Sequence, residues 1–577
     1  MLPDSPNFSV NANSDPRGPA ALDDPFYYMR NFRWVLDWVV ERYRDLLSAE
    51  ELEFASEFGQ LPCSSQGLLV RMVMRKGEHF REDKLRYPEL GLTGNAVKPL
   101  MESGWVTRDP LLDLPTLFKL FTWNELRRML GNTLTCERLK NARKRDALAI
   151  LDELQLPPQP PVEWGVEGCA VYELNVMPLC DRFRLMFFGN LHQDWSEFVL
   201  AELGTYRYEK VEFCEESRPF HSRAEIDAYL QLQRCRDRFY DGDALDSIAE
   251  NLPPLPSANL WLVRGKEKLI FKLAREWERA GDLGRARNLY QACAHPEARC
   301  RLLRVLERQG QFALAFELAG EAELAPVSEA ERQQVGRVLP RLRRKLGLPS
   351  PGLADRLTQA KAVKTDIIEL TLPFSLPVEL AVKQHLERDH APVYYVENTL
   401  LTALFGLLCW DAVFAPLPGA FFHPFQRGPA DLYWPDFYRR RAHLIDACLN
   451  KLESGDHRSL IQENYIIKHG IQSPFIHWAS LSDDLLMQAL NCIPAEHLHL
   501  IFKQLLRDLK MNCAGFPDLI QFRPAECRYR MIEVKGPGDR LQDNQRRWLD
   551  FFEMHNIPAA VCYMQWLDRD KVAEESA

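Results

Sequence analysis

The sequence contains no C-x-x-C pair, although fourteen cysteines are scattered from Cys63 to Cys562. Neither a zinc ribbon nor a zinc finger fits that dispersal, and isolated thiols in a long chain point to a reducing, intracellular compartment. Also missing is any uninterrupted apolar run of about 18 residues, so no membrane-spanning helix is expected. The opening residues, MLPDSPNFSVNANSDPRGP, lack the apolar core of a secretory signal. Positive charge is not in excess either: the formal net charge is −9. That excludes a chain coated uniformly in basic residues but leaves room for a basic groove, because local patches decide nucleic-acid binding.

What is present is ordinary globular composition, 46% hydrophobic and 27% charged, over 577 residues. That length exceeds a single core and implies about three or four domains. Residues 1 to about 25 read as untethered. A helix follows, with Phe32, Val35, Leu36, Val39, Tyr43 and Leu46 at helical spacing. A second begins near Leu68, its Leu69, Met72 and Val73 facing a core. The proline cluster Pro157, Pro158, Pro160 and Pro161 reads as a stiff domain boundary. Residues 165–250 carry no clear pattern. Beyond Pro253, Pro254 and Pro256 a weak repeat appears at an offset of 29 residues. LAREWERAG, ending at Gly281, is echoed by LLRVLERQG, ending at Gly310. Helix, glycine turn and helix in each copy predict a short tetratricopeptide-like solenoid.

The chemistry concentrates near the C-terminus. Pro517-Asp518 leads into an apolar strand, Leu519 to Phe522, and a polar connection through Arg523, Pro524 and Glu526 leads into a second, Tyr529 to Lys535. Two strands so briefly joined predict a hairpin. The strand period of two puts Glu533 and Lys535 on one face and turns Val534 into the core. If the hairpin sets Asp518 beside Glu533, two carboxylates and an ammonium converge. Such carboxylates can hold one or two Mg2+ or Mn2+ ions, hard cations that prefer oxygen, with the Val534 carbonyl as an additional ligand. A metal there would polarise a phosphoryl group and help generate hydroxide. Lys535 could orient the water or neutralise charge on phosphate oxygens. After Gly536-Pro537-Gly538 a helix is expected, with Gln545 placed to touch water or phosphate and Trp548 to pack beneath. An Asp and a Glu-x-Lys at this separation also occur as solvated charges in ordinary hairpins. The proline before Asp518, the apolar strand and the Gly-Pro-Gly turn favour the chemical reading.

A third carboxylate must come from elsewhere, and Glu397 is the candidate. It opens a strongly apolar helix (Leu400, Leu401, Leu404, Phe405, Leu408). A glutamate there can simply favour the helix dipole. Alternatively it partners a metal, because an unpaired charge among Tyr394, Tyr395 and Val396 is costly. Spacing leaves both readings open.

Long segments then resemble the Fanconi anaemia-associated nuclease family, whose catalytic part is a VRR-Nuc (virus-type replication-repair nuclease) domain of the PD-(D/E)xK superfamily. They are YYVENTLLTALFGLLCWDAVFAPLPGAFFHPFQRGPADLYWPDFYRRR, FPDLI, EVKGPGDRLQDNQRRWL, YYMRNFRWVLDWVVERYRDLL and LLVRMVMRKGEHFR. The resemblance implies a metal-dependent nuclease that recognises branched or flapped DNA, cuts 5′ flaps, trims from 5′ ends and serves interstrand-crosslink repair. It implies metal ligands at Glu397, Asp518 and Glu533 and a catalytic lysine at Lys535. A SAP-like segment implies phosphate contacts from Arg71, Arg75, Lys76, Lys84 or the run Lys140, Arg143, Lys144 and Arg145. Animal members carry a ubiquitin-binding zinc finger; no Cys/His set precedes Cys63, so that finger is not expected.

The expected fold is multidomain and mostly α, with a C-terminal α/β PD-(D/E)xK nuclease domain. Its parts are residues 1–60 (tail and helices), 61–156 (SAP-like), 157–347 (helical repeats) and 370–570 (nuclease). Two rivals remain: a Holliday-junction resolvase-like cutter, and a non-catalytic DNA-binding scaffold.

Overall fold

The computed structural model describes residues 25–131, 142–193, 195, 206–255, 259–349, 366–372 and 376–567. The opening residues expected to be untethered and Lys140 of the basic run lie outside these described residues. The chain divides into two compact units, residues 1–206 with 213–229, and 207–212 with 230–577.

The first unit begins with α1 (Tyr27–Tyr43), α2 (Ala49–Gln60) and α3 (Cys63–Val73). The apolar stripe expected on α1 is its buried face, with Phe32, Val35, Leu36, Val39 and Tyr43 all buried. A capping box starts α2. Ser48 Oγ accepts from the Glu51 amide at 3.3 Å, and Glu51 Oε2 accepts from the Ser48 amide at 2.8 Å. Glu51 is wholly buried, and Arg223 reaches its carboxylate at 2.6 Å, so residues 213–229 are tied back to α2.

A three-stranded antiparallel sheet completes the unit, with β1 (His79–Arg81) and β2 (Val106–Arg108) flanking β3 (Val171–Leu174). That central strand lies beyond the proline cluster, so residues 157–229 depart from the expected helical-repeat region. The reason is local. The stiff proline segment is stitched to the unit by reciprocal Leu112–Gln159 backbone bonds of 2.8 and 3.1 Å. Trp164 then buries its ring beside Leu117, Phe118 and Leu126 and donates its indole N–H to the Leu112 carbonyl.

The second unit carries the repeats as α4 (Leu260–Arg279), α5 (Leu283–Ala292), α6 (Ala298–Arg308) and α7 (Phe312–Leu324), closed by α8 (Glu329–Lys345). Gly281 (φ 86°) and Gly310 (φ 71°) make the two equivalent turns, in a backbone region that favours glycine. Ala274, Ala286, Leu303, Ala315 and Ala319 let these helices approach closely in one core.

Beyond them runs a five-stranded mixed sheet: β4 (Asp366–Leu372), β8 (Ala559–Trp566), β7 (Arg528–Lys535), β6 (Leu519–Arg523) and β5 (Val393–Tyr395), in that spatial order. Strands β5, β6 and β7 are antiparallel neighbours, whereas β4, β8 and β7 run parallel. Helix α9 (Val378–Leu386) follows β4, and α10 (Leu400–Leu408) follows β5 with every one of its residues buried. Helix α11 (Phe437–Ser454) precedes the hairpin in the chain, and α12 (Asp543–Met554) makes the crossover from β7 to β8. Within this unit α4 grips the segment before α11. Trp261 stacks on Trp434 with ring centroids 5.8 Å apart, and Arg264 reaches Asp436 at 2.7 Å. Among the described residues, no helix is long and apolar enough to cross a membrane.

Candidate active site

The expected hairpin is present, and its register places the chemistry. Leu519 pairs with Ile532, so Asp518, one residue before β6, falls across from Glu533. Asp518 Oδ2 accepts the Val534 amide at 2.8 Å. Even-numbered Ile532 and Val534 point into the core with Leu519, Cys562 and Met564, which leaves Glu533 and Lys535 on the other face. A strand residue presents its N–H and C=O to the same side, so the Val534 carbonyl also faces Asp518.

Glu397 arrives through β5. Tyr395 pairs with Leu519, and the Val396 amide continues the ladder to the Asp518 carbonyl at 2.8 Å. The next residue is Glu397. Asn398 follows in the left-handed region (φ 52°) and turns the chain into α10.

Electrostatics show how closely these carboxylates sense one another. Burial pushes the Asp518 carboxyl from its ordinary 3.8 up to about 6, against the Val534 hydrogen bond and with a further push from Glu397. Burial, then Asp518, pushes Glu533 from 4.5 up to about 7, against the pull of Lys535. Glu533 is 0% exposed. Lys535 Nζ lies 2.8 Å from its Oε1, while the buried Oε2 has no hydrogen-bond partner. No three acidic, histidine or cysteine side chains among the described residues are drawn to one point. Like charges repel, and each is held by its own neighbour: Glu397 by Tyr395 and Asn398, Asp518 by Val534, Glu533 by Lys535.

A hard divalent cation fits this set. Its donors are oxygens, and it would supply a partner for the buried Glu533 Oε2. The protonated carboxyls are favoured in the fold, so the chelator-treated protein should lose stability as pH rises from about 4 to about 7. Added Mn2+ should restore it increasingly toward pH 8. Thermal unfolding with EDTA and with Mn2+ across this window checks both; a metal-free stability that rises with pH contradicts the assignment.

The other residues singled out by sequence fall as follows. Trp548 packs beneath the site, its ring 4.2 Å from Phe516, and donates to the Asn512 carbonyl at 3.2 Å. Gln545 commits its side-chain oxygen to the capping box of α12, accepting from the Gln542 amide at 2.9 Å. Arg71 pairs with Glu89 at 2.8 Å and lies over the Tyr28 ring, so its charge is already engaged. Exposed Arg75, Lys76 and Lys84 line one cleft, joined by His79, Arg81 and Lys119, which sequence reading missed. Lys144 caps the Phe121 carbonyl at 2.8 Å, and Arg143 and Arg145 are exposed. Also missed was Glu379 in the first turn of α9, whose charge bears on Asp518 and Tyr395. As a first-turn acid its sequence signal was that of ordinary helix-dipole stabilisation.

A β-hairpin presenting Asp518, Glu533 and Lys535, backed by a β-α-β crossover, defines a nuclease of the PD-(D/E)xK class. Two family models match, "FAN1, HTH domain" over residues 26–107 and "VRR-NUC domain" over residues 452–566. The VRR-NUC domain implies dependence on a divalent metal. A Fanconi-associated nuclease 1 homolog of Pseudomonas aeruginosa is 52% identical over 96% of this chain and 98% of its own length. A homolog from Arabidopsis thaliana is 26% identical over 93% of this chain and 66% of its own. A crystal structure of paFAN1 bound to 2-nucleotide 5′-flap DNA with a gap is 51% identical, covers 95% of this chain and all of that one, and superposes with a TM-score of 0.86. The chain belongs to the Fanconi-associated nuclease 1 family, and is thus a hydrolase of DNA phosphodiester bonds.

Proposed function

We propose that this protein cuts 5′-flapped DNA and trims from 5′ ends during interstrand-crosslink repair, using Mg2+ or Mn2+ held by Glu397, Asp518, Glu533 and the Val534 carbonyl. The observation that carries the reading is the buried Glu533 carboxylate beside Asp518, with one oxygen, Oε2, lacking a hydrogen-bond partner. The substrate reading is supported by the similarity to paFAN1, solved with 1- and 2-nucleotide 5′ flaps. One or two bound ions would polarise the phosphoryl group and lower the pKa of a water. Lys535, 7% exposed beside Glu533, would steady that water or meet charge growing on phosphate oxygens. Gln545 would assist through its amide nitrogen, since its oxygen is engaged in the cap.

Specificity on this reading is one of shape, set by phosphate contacts away from the chemistry. The cleft bearing Arg75, Lys76 and Lys84 supplies such contacts, with Arg143 and Arg145 as further candidates. The Lys76→Ala/Lys84→Ala pair should weaken flap binding and reduce the salt slope by about 1–2, with cleavage at saturating protein little changed. Unchanged affinity and slope, measured by fluorescence anisotropy against salt, would remove these residues from the interface.

Cleavage of a 5′ flap, an intact four-way junction and plain duplex, compared in Mn2+, tests the substrate. The flap should be cut fastest. Preference for the four-way junction overturns the assignment in favour of a resolvase.

A further inference from the structure

Glu397 differs from the other two carboxylates in how it is held. Its Oε2 accepts the Tyr395 hydroxyl, and its Oε1 accepts the Asn398 side-chain Nδ2 at 3.3 Å. The same Asn398 amide reaches across 117 residues of sequence: its Oδ1 accepts the Gly515 amide at 2.8 Å and the Phe516 amide at 3.1 Å. Two backbone donors on one side fix the orientation of the carboxamide, because only its oxygen can accept. Its nitrogen must therefore point at Glu397.

The opposite side of that loop is equally constrained. Gly515 (φ 93°) passes so close to Asn544 that a Cβ would come within 2.8 Å of its backbone. Trp548 holds the Asn512 carbonyl, and Arg547 holds the Met511 carbonyl at 3.1 Å. Residues 511–516, which deliver Pro517-Asp518, are thus wedged between α12 and Asn398. Asn398 stands in the left-handed region, which asparagine tolerates better than other side chains with a Cβ.

We infer that Asn398 is a positioning residue that couples Glu397 to the loop carrying Asp518, with Tyr395 fixing the second oxygen of Glu397. The inference rests on the metal reading proposed above. Neither residue touches the reacting atoms. Each acts on the orientation of a ligand carboxylate, the kind of outer contact whose loss costs about 10–100-fold in metal affinity.

The test is calorimetric titration of Mn2+ into the full chain, with Asp518→Asn as control. Asn398→Gly keeps the left-handed backbone and deletes the side chain; it should bind Mn2+ about 10–100-fold more weakly. Because the ligands remain, its cleavage rate should return toward wild type at saturating Mn2+. Tyr395→Phe, at an exposed ring, should weaken binding by about 10-fold, the lower end of that range. If Asn398→Gly binds Mn2+ within about twofold of wild type while Asp518→Asn has lost binding, the inference is overturned and the metal site stands. If Asp518→Asn itself binds as wild type does, the metal reading fails. Should Asn398→Gly not fold, Asn398→Asp, which keeps the acceptor for the Gly515 and Phe516 amides and removes the donor to Glu397, carries the test, and wild-type affinity there overturns the coupling.

Discussion

Replacing Asp518 with asparagine is expected to slow flap cleavage by about 10^3-fold, the scale on which loss of one group stabilising developing charge is felt. The same change should make the chelator-treated protein more stable at pH 8. Asparagine preserves the acceptor for the Val534 amide but removes a charge that burial disfavours. With the carboxyl held near 6 instead of 3.8, its ionisation costs the fold up to about 3 kcal/mol at pH 8. Opposite signs for activity and stability mark a group kept for chemistry. Melting in EDTA, alongside single-turnover cleavage in Mn2+, reads both. An Asp518→Asn protein that cuts at the wild-type rate contradicts the site; one that melts lower, although inactive, contradicts the electrostatic account.

A second large effect is expected at Asp431→Ala. Asp431 and Arg441 are both 0% exposed, and the guanidinium meets the carboxylate in two bonds of 2.8 and 2.9 Å. Arg440 reaches the same carboxylate from a partly exposed position. Removing Asp431 strands the Arg441 charge in the core, where its Nε already lacks a partner. Breaking such a pair from one side costs about 3–5 kcal/mol. The loop concerned also carries Trp434 and Asp436, the contacts that α4 makes before α11. Urea unfolding should therefore show a strongly lowered midpoint for Asp431→Ala and little change for the exposed Arg439→Ala. Equal midpoints contradict the structural role given to this pair.

The hairpin was legible in sequence because period-two alternation and the short polar link are local signals. Asp518, Glu533 and Lys535 inherit their placement from it. The repeat was legible for a similar reason: an offset of 29 residues put Gly281 and Gly310 at equivalent turns. What stayed hidden was tertiary. Spacing could not bring Glu397 toward Asp518, because that approach rests on the Val396–Asp518 backbone bond across more than a hundred residues. Nothing local in the sequence marks Asn398, yet its side chain holds the Gly515–Phe516 backbone. Arg71 read as one more cation on a basic helix until Glu89 and Tyr28 met it. The proline cluster read as a boundary because stiffness is visible in sequence, while the pocket that receives Trp164 is not.

The central claim is that Glu397, Asp518 and Glu533 form one metal site on a nuclease that cuts flapped DNA. Anomalous diffraction from crystals grown with Mn2+ and an uncleaved 5′-flap duplex tests it most directly. The account predicts a manganese peak within about 2.0–2.6 Å of carboxylate oxygens from all three residues, beside the flap phosphate. A peak that rests on other side chains, or one that leaves Glu397 without contact, would contradict it.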